Sequence, residues 1–246
     1  MFFRRFAFIF LTSILVSCGG GSGGSGGSGS SDNQSADGIW SGYVNFSNGN
    51  SNEIFAIISG GEFIMVDNTS DIYLSGSLDI RGRNLSAARV NQYEIDGGYI
   101  MYMQLDGVVN SKSKILADFI DVVSGDKVSV NLDYLNETDE PMSYSDLSDS
   151  WYFQGNDGTY REQSIDDNGA FEILDNGCIY SGKLTIPNNE QVIFTTEFTV
   201  SGPTRCNNGF YSGVGLYDYW GDPLELYAVG VNDEYSVMQS FLKIND

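Results

Sequence analysis

From Gly38 onward, short runs rich in Tyr, Phe, Val and Ile are punctuated by Gly, Asn, Asp and Ser. That is the chemistry of strands and tight turns. The clearest runs alternate. In 127–135, Val128, Val130, Leu132 and Tyr134 share one face, and Lys127, Ser129, Asn131 and Asp133 share the other. In 191–201, Val192, Phe194, Thr196, Phe198 and Val200 oppose Gln191, Thr195, Glu197, Thr199 and Ser201. Period two with one polar face predicts an antiparallel sheet wetted on one side. Apart from the N-terminal segment, no stretch of adequate length keeps the i, i+3, i+4, i+7 apolar spacing of a helix.

The pattern occurs twice. Ile72-Tyr73-Leu74-Ser75-Gly76-Ser77-Leu78-Asp79-Ile80 aligns with Cys178-Ile179-Tyr180-Ser181-Gly182-Lys183-Leu184-Thr185-Ile186. Gly76 to Gly107 and Gly182 to Gly213 are equal intervals, and Trp40 and Trp151 open the two units. A glycine inside a strand marks curvature or a close backbone approach. The predicted strands of the first unit are 39–46, 53–58, 62–66, 71–80, 85–95, 98–109, 114–123 and 127–135. Those of the second are 151–154, 159–165, 170–174, 178–186, 191–201, 209–218, 223–231 and 234–244. Short links favour consecutive antiparallel pairing, and a meander of this length hides its edges by closing. The expected fold is all-β, with two repeated antiparallel meanders, each a small up-and-down barrel or curved sandwich. They span 37–135 and 150–246, joined by an acidic link, 136–149. One fused barrel built from both repeats is the alternative. A membrane-embedded barrel is not expected, because the polar strand faces carry charges.

Composition narrows the chemistry. The chain has no histidine, so His-based nucleophiles and bases are excluded. Its net charge of −21 repels phosphate backbones, so nucleic acid is not an expected partner. With 33 acidic residues, carboxylate pairs arise by accident, and none has the setting of a glycosidase. No enzymatic activity and no cofactor are expected. Structural calcium has only partial ligand sets, at Asp166-Asp167-Asn168-Gly169 and Asn156-Asp157-Gly158, which are first of all turn sequences.

Residues 1–17 read as a signal peptide: Arg4 and Arg5, then an apolar run from Phe6 to Val16 too short to span a bilayer. The junction Leu15-Val16-Ser17-Cys18 resembles a bacterial lipobox. The resemblance implies cleavage before Cys18 and lipid attachment to it. Each buried methylene of an acyl chain contributes roughly 0.8 kcal/mol, so two or three chains anchor firmly. Residues 18–36 then form the lipidated cysteine and a tether, of which 19–31 are all Gly or Ser. Gly19 after the cysteine resembles the class sorted to the outer membrane.

With Cys18 consumed by lipid, Cys178 and Cys206 remain. Cys178 starts a strand, and Cys206 follows the next strand at the same end of the meander, so a disulfide is geometrically possible. It would contribute roughly 3–4 kcal/mol by the chain-entropy estimate. Around these cysteines stand Ser164-Ile165-Asp166-Asp167-Asn168-Gly169-Ala170-Phe171, Gly177-Cys178-Ile179-Tyr180-Ser181-Gly182 and Gly209-Phe210-Tyr211-Ser212-Gly213. These landmarks resemble a group of bacterial lipoproteins and secreted proteins, well over 150–231 and loosely over 38–135. The resemblance implies fold and compartment and carries no activity.

The loop Tyr217-Asp218-Tyr219-Trp220-Gly221-Asp222 holds more aromatics and acids than a turn requires. With Asp166, Asp167 and Glu190 it is expected on the rim opposite the disulfide, where it would contact a glycan, a peptide or a basic protein. The bland reading is a Trp lid on an acidic barrel. The function this leads to is a membrane-anchored envelope lipoprotein acting as a non-enzymatic binding or accessory module. Alternatives are a lipocalin-like carrier of a small apolar ligand, or an inhibitor of a basic envelope-attacking enzyme. Cys18→Ser should release the protein from membranes or leave its signal peptide uncleaved. Membrane fractionation and intact mass read the outcome, and a mature wild-type protein with a free Cys18 thiol would refute the assignment.

Overall fold

The computed structural model describes residues 34–246 apart from 68, 71, 95–97, 149, 156–157, 188–190, 219–223 and 244–246. Cys18 and the tether lie outside the described residues. The first half forms β1 (Gly38–Asn45), β2 (Ser51–Ser59), β3 (Glu62–Asp67), β4 (Ile72–Ser77), β5 (Asp79–Arg81), β6 (Asn84–Glu94), β7 (Tyr99–Asn110), β8 (Lys114–Asp121) and β9 (Lys127–Leu135). Apart from β4 and β5, neighbours in sequence pair antiparallel, β1 pairs with β9, and β4 pairs with β6, so the ring closes. The expected strand 71–80 is interrupted at Leu78, whose N–H donates to Gly61 O. β4 pairs with one stretch of β6 and β5 with another, and β6 has a register shift between Ala87 and Val90. Such a shift bends the strand at a tight corner.

The second half forms β10 (Ser150–Gln154), β11 (Tyr160–Ser164), β12 (Ala170–Asp175), β13 (Cys178–Thr185), β14 (Ile193–Ser201), β15 (Gly209–Asp218), β16 (Leu224–Val231) and β17 (Ser236–Lys243). β10 closes on β17, and the sheet order runs β11-β10-β17-β16-β15-β14-β13-β12. The halves are therefore two up-and-down barrels rather than one fused barrel. The cysteines bridge as expected, Cys178 to Cys206, with 5.4 Å between Cα atoms.

The shared sequence landmarks have shared physical roles. A Cβ on Gly107 would collide with Leu116 O, and one on Gly213 with Val229 O. At these points the adjacent strand leaves no room for a side chain. Each opening tryptophan is fully buried and hooks back four residues. Trp40 Nε1 donates to Ala36 O and Trp151 Nε1 to Leu147 O, both at 2.8 Å. Each ring also meets a tyrosine edge-on, Tyr134 in the first barrel and Tyr217 in the second.

The first barrel is filled from within by Trp40, Phe63, Met65, Leu105, Phe119 and Leu132 among others. Its outward residues Ile39, Ile57, Ile64, Val66, Tyr73 and Tyr93 are also buried, because they join the core of the second half. They meet the outer faces of β14 to β17 at Ile193, Val214, Leu216, Val229 and Met238. Polar contacts stitch one end of this seam, where β6 meets the β16–β17 link. Tyr93 Oη donates to Asn232 O at 2.7 Å and Ser236 Oγ to Glu94 O at 2.9 Å.

The acidic link is packed rather than free. It holds a 3₁₀ turn (Asn136–Thr138) and the short helix α1 (Tyr144–Leu147), and Thr138, Met142 and Leu147 are buried. Thr138 pins three segments. Its Oγ1 accepts from Ile39 N at 2.8 Å and donates to Leu135 O at 2.8 Å, while its carbonyl accepts from Val192 N at 3.2 Å. Thr138→Val keeps the shape and strands the Ile39 N–H in a buried site. It should cost roughly 1–3 kcal/mol, a fall of roughly 3–10 °C in melting temperature for a unit of this size. Thr138→Ser should lose much less. Thermal melts of the two variants provide the check, and equal losses would contradict the role given to the hydroxyl.

Candidate binding cleft in the second barrel

The two barrels close differently. In the second, β11 and β12 stand at the two ends of the sheet order, and no ladder joins them. They meet at a single bridge, Ile165 to Phe171, beside their connecting turn. That turn is made by its own residues. Asp166 Oδ1 accepts from Asn168 N and Ala170 N, both at 2.8 Å. These two backbone donors hold the Asp166 carboxyl below its ordinary pKa. At the far end of the seam Arg161 Nη1 meets Asp175 Oδ1 at 2.6 Å, with the Asp175 side chain only 3% exposed. The guanidinium lies against the Phe153 ring and is crowded by Gly155, where a Cβ would strike it. The seam is thus framed by a turn at one end and a largely buried ion pair at the other.

Behind the seam lies the lumen. Ile173, Tyr180, Leu184, Phe198, Leu226 and Phe241 are among the apolar residues of its wall. The polar side chains on the wall are neutral: Gln163, Ser164, Thr196 and Gln239, with the Tyr180 hydroxyl and the Trp151 indole. The cleft measures about 500 Å³ with its solvent-open part included, but the space within it that is free for a guest is only about 30 Å³. That free space suits a water or two, and small-molecule pockets run to about 300–1,000 Å³. A larger guest therefore needs the seam to part. Thr196 is 1% exposed and its Oγ1 has no hydrogen-bond partner among the described residues.

The end of the barrel away from the disulfide is plugged. Trp151 and Tyr217 pack there edge-on with ring centroids 6.0 Å apart, and Lys243 Nζ stands 5.7 Å from the Trp151 ring centroid. Burial pushes the Tyr217 hydroxyl above its ordinary pKa, against the lowering effect of Lys243.

Of the rim residues singled out in the sequence, Tyr217 is turned inward and 9% exposed, so it belongs to this plug. Asp166 and Asp167 are exposed on the β11–β12 turn, and Asp218 ends β15. Antiparallel order brings both to the same end of the barrel, but four strands apart around the ring. Tyr219, Trp220, Asp222 and Glu190 lie outside the described residues, as do Asn156 and Asp157 of the second calcium sequence. Asp166 Oδ1 is occupied by its own turn, and no group of three His, Cys, Asp or Glu that could hold a metal stands together among the described residues. The seam and Thr196 were not anticipated. Arg161 was a legible signal, since it shares the inward-facing parity of Gln163 in β11.

No family model matches this sequence, and neither the curated proteins nor the solved structures contain a significant match.

The acidic rim has one measurable electrostatic consequence. Asp218 pairs directly with Glu225 across β15 and β16. Burial first, and the Asp218 charge second, raise the Glu225 pKa. A carboxyl raised in the folded state stabilises the fold fully below its unfolded pKa, and this contribution is lost as pH rises through the folded pKa. At neutral pH the two carboxylates repel across the ladder, a cost of about 0.2–1 kcal/mol. Asp218→Asn should therefore raise the melting temperature by roughly 1–3 °C at neutral pH. The gain should fade as pH drops through the raised Glu225 pKa, and a gain independent of pH would show another cause.

Proposed function

We propose that this chain is a non-enzymatic binding module of the bacterial envelope, held at a membrane by lipid on Cys18, and that its second barrel takes a small apolar ligand. One observation carries the reading. Of two barrels built on one plan, the first closes on itself and is filled, and the second is unsealed over an apolar cleft. A joint left unpaired in a barrel forgoes the closure that removes sheet edges. The first barrel demonstrates that closure is available to this pattern. The lipidation of Cys18 and an outer-membrane address follow from the lipobox resemblance and belong to the same proposal.

The membrane is one partner, through the lipid. A basic protein or a glycan on the acidic rim would be a second kind of partner, with Asp166, Asp167 and Asp218 as the described part of that surface.

The test is titration of the whole protein with N-phenyl-1-naphthylamine, which fluoresces in apolar surroundings. Saturable binding is expected. Ala228 faces the lumen, so Ala228→Val should weaken binding at least several-fold by occupying the space, while circular dichroism and the melt stay close to wild type. Absence of saturable binding, or binding indifferent to Ala228→Val, would overturn the carrier reading.

A further inference from the structure

Thr196 sits in β14 opposite Leu184 of β13 and Gly213 of β15, with its side chain on the lumen wall. Valine has the same shape and suits a strand at least as well. A hydroxyl buried without a partner is a standing loss that valine would avoid. Among the described residues that line the cleft none is charged, and the inward Arg161 and Asp175 at its seam neutralise each other, so an ionised guest would be left without compensation. The site therefore favours a neutral molecule, mostly apolar, with one atom able to pair with a hydroxyl.

The route in follows from the topology. In the ring, β11 lies across from β15, and the outward residues Val214 and Leu216 of β15 are buried against the first barrel. The β11–β12 seam thus faces away from the neighbouring barrel and can part without disturbing that contact. The Ile165–Phe171 bridge holds the seam at the turn, and the Arg161–Asp175 pair holds the other end.

We propose that the second barrel admits a neutral single-chain alcohol, or a molecule of that class, through the β11–β12 seam. The Arg161–Asp175 pair acts as the latch, and the Thr196 hydroxyl pairs with the ligand's polar atom. This rests on the carrier reading above. The experiment is displacement of N-phenyl-1-naphthylamine from the whole protein by octan-1-ol, octane and octanoate. Octan-1-ol should displace best. Thr196→Val should weaken octan-1-ol roughly tenfold, the loss expected of one buried hydrogen bond, and leave octane unchanged. If Thr196→Val leaves octan-1-ol unchanged, or octanoate proves the best competitor, the ligand class is wrong although the carrier reading stands. If the wild-type protein binds no dye, both fall.

The latch is tested by stopped-flow association. Asp175→Asn should speed uptake at least fivefold with little change in equilibrium affinity, because a barrier is lowered from both sides. Arg161→Gln offers the same measurement should Asp175→Asn fail to fold. An unchanged association rate in a folded variant would place the route elsewhere and overturn the latch.

Discussion

Every strand of a sheet must find a partner on both edges or leave backbone donors and acceptors exposed, and the rest of this structure follows from how that requirement is met. The chain answers it by bringing the last strand of each meander back to the first, β9 onto β1 and β17 onto β10. Closure demands curvature. Curvature brings backbones close enough at Gly107 and Gly213 that only glycine fits. It also creates an inside, which each barrel plugs at one end with a buried tryptophan hooked to the carbonyl four residues before it. Repeat, glycine spacing and tryptophan position are thus consequences of one geometric demand met twice.

Strand positions were legible because turn residues bracket each run and period two is strong where one face is wet, as in 127–135. Less legible was that the outer wall of the first barrel is itself a core. The signal lay in Ile54-Phe55-Ala56-Ile57-Ile58 and Phe63-Ile64-Met65-Val66, continuous apolar runs of the kind found where both faces of a strand are buried. Alternation dominates the other strands, and these two were read by the same rule. The burial of Tyr217 was also available from parity. Counting in twos from Tyr211 through Gly213 and Gly215 places Tyr217 on the lumen side, whatever the loop beyond it does. The cleft was not legible, because an unpaired joint between β11 and β12 is an absence of long-range pairing and leaves no periodic trace.

The contact between the barrels sets which strands are free to change. The first barrel offers β1 to β4 and β6, and the second offers β14 to β17. Apolar residues such as Ile57, Val66, Val214 and Leu216 leave water on both sides of this joint, and burial of that kind is the dominant favourable term in holding two surfaces together. Thr138, held between Ile39, Leu135 and Val192, fixes the register at one end. Strands in this joint cannot separate without breaking it.

The strands outside the joint carry a different composition. β11 reads Tyr-Arg-Glu-Gln-Ser and buries none of its side chains fully, while its partner across the seam, β12, buries Ile173 and Asp175. An arginine placed inward beside a nearly buried aspartate costs desolvation that an apolar pair would not. In some proteins such pairs serve register or switching rather than stability. Here the pair stands at the joint the barrel leaves unladdered, on the side turned away from its neighbour. A strand pair joined by no continuous ladder opens locally at smaller cost than the global fold. The duplicated plan therefore divides labour. The first barrel is closed and joined to its neighbour through a buried apolar face, and under the carrier reading proposed above the second barrel keeps the seam at which a guest would enter.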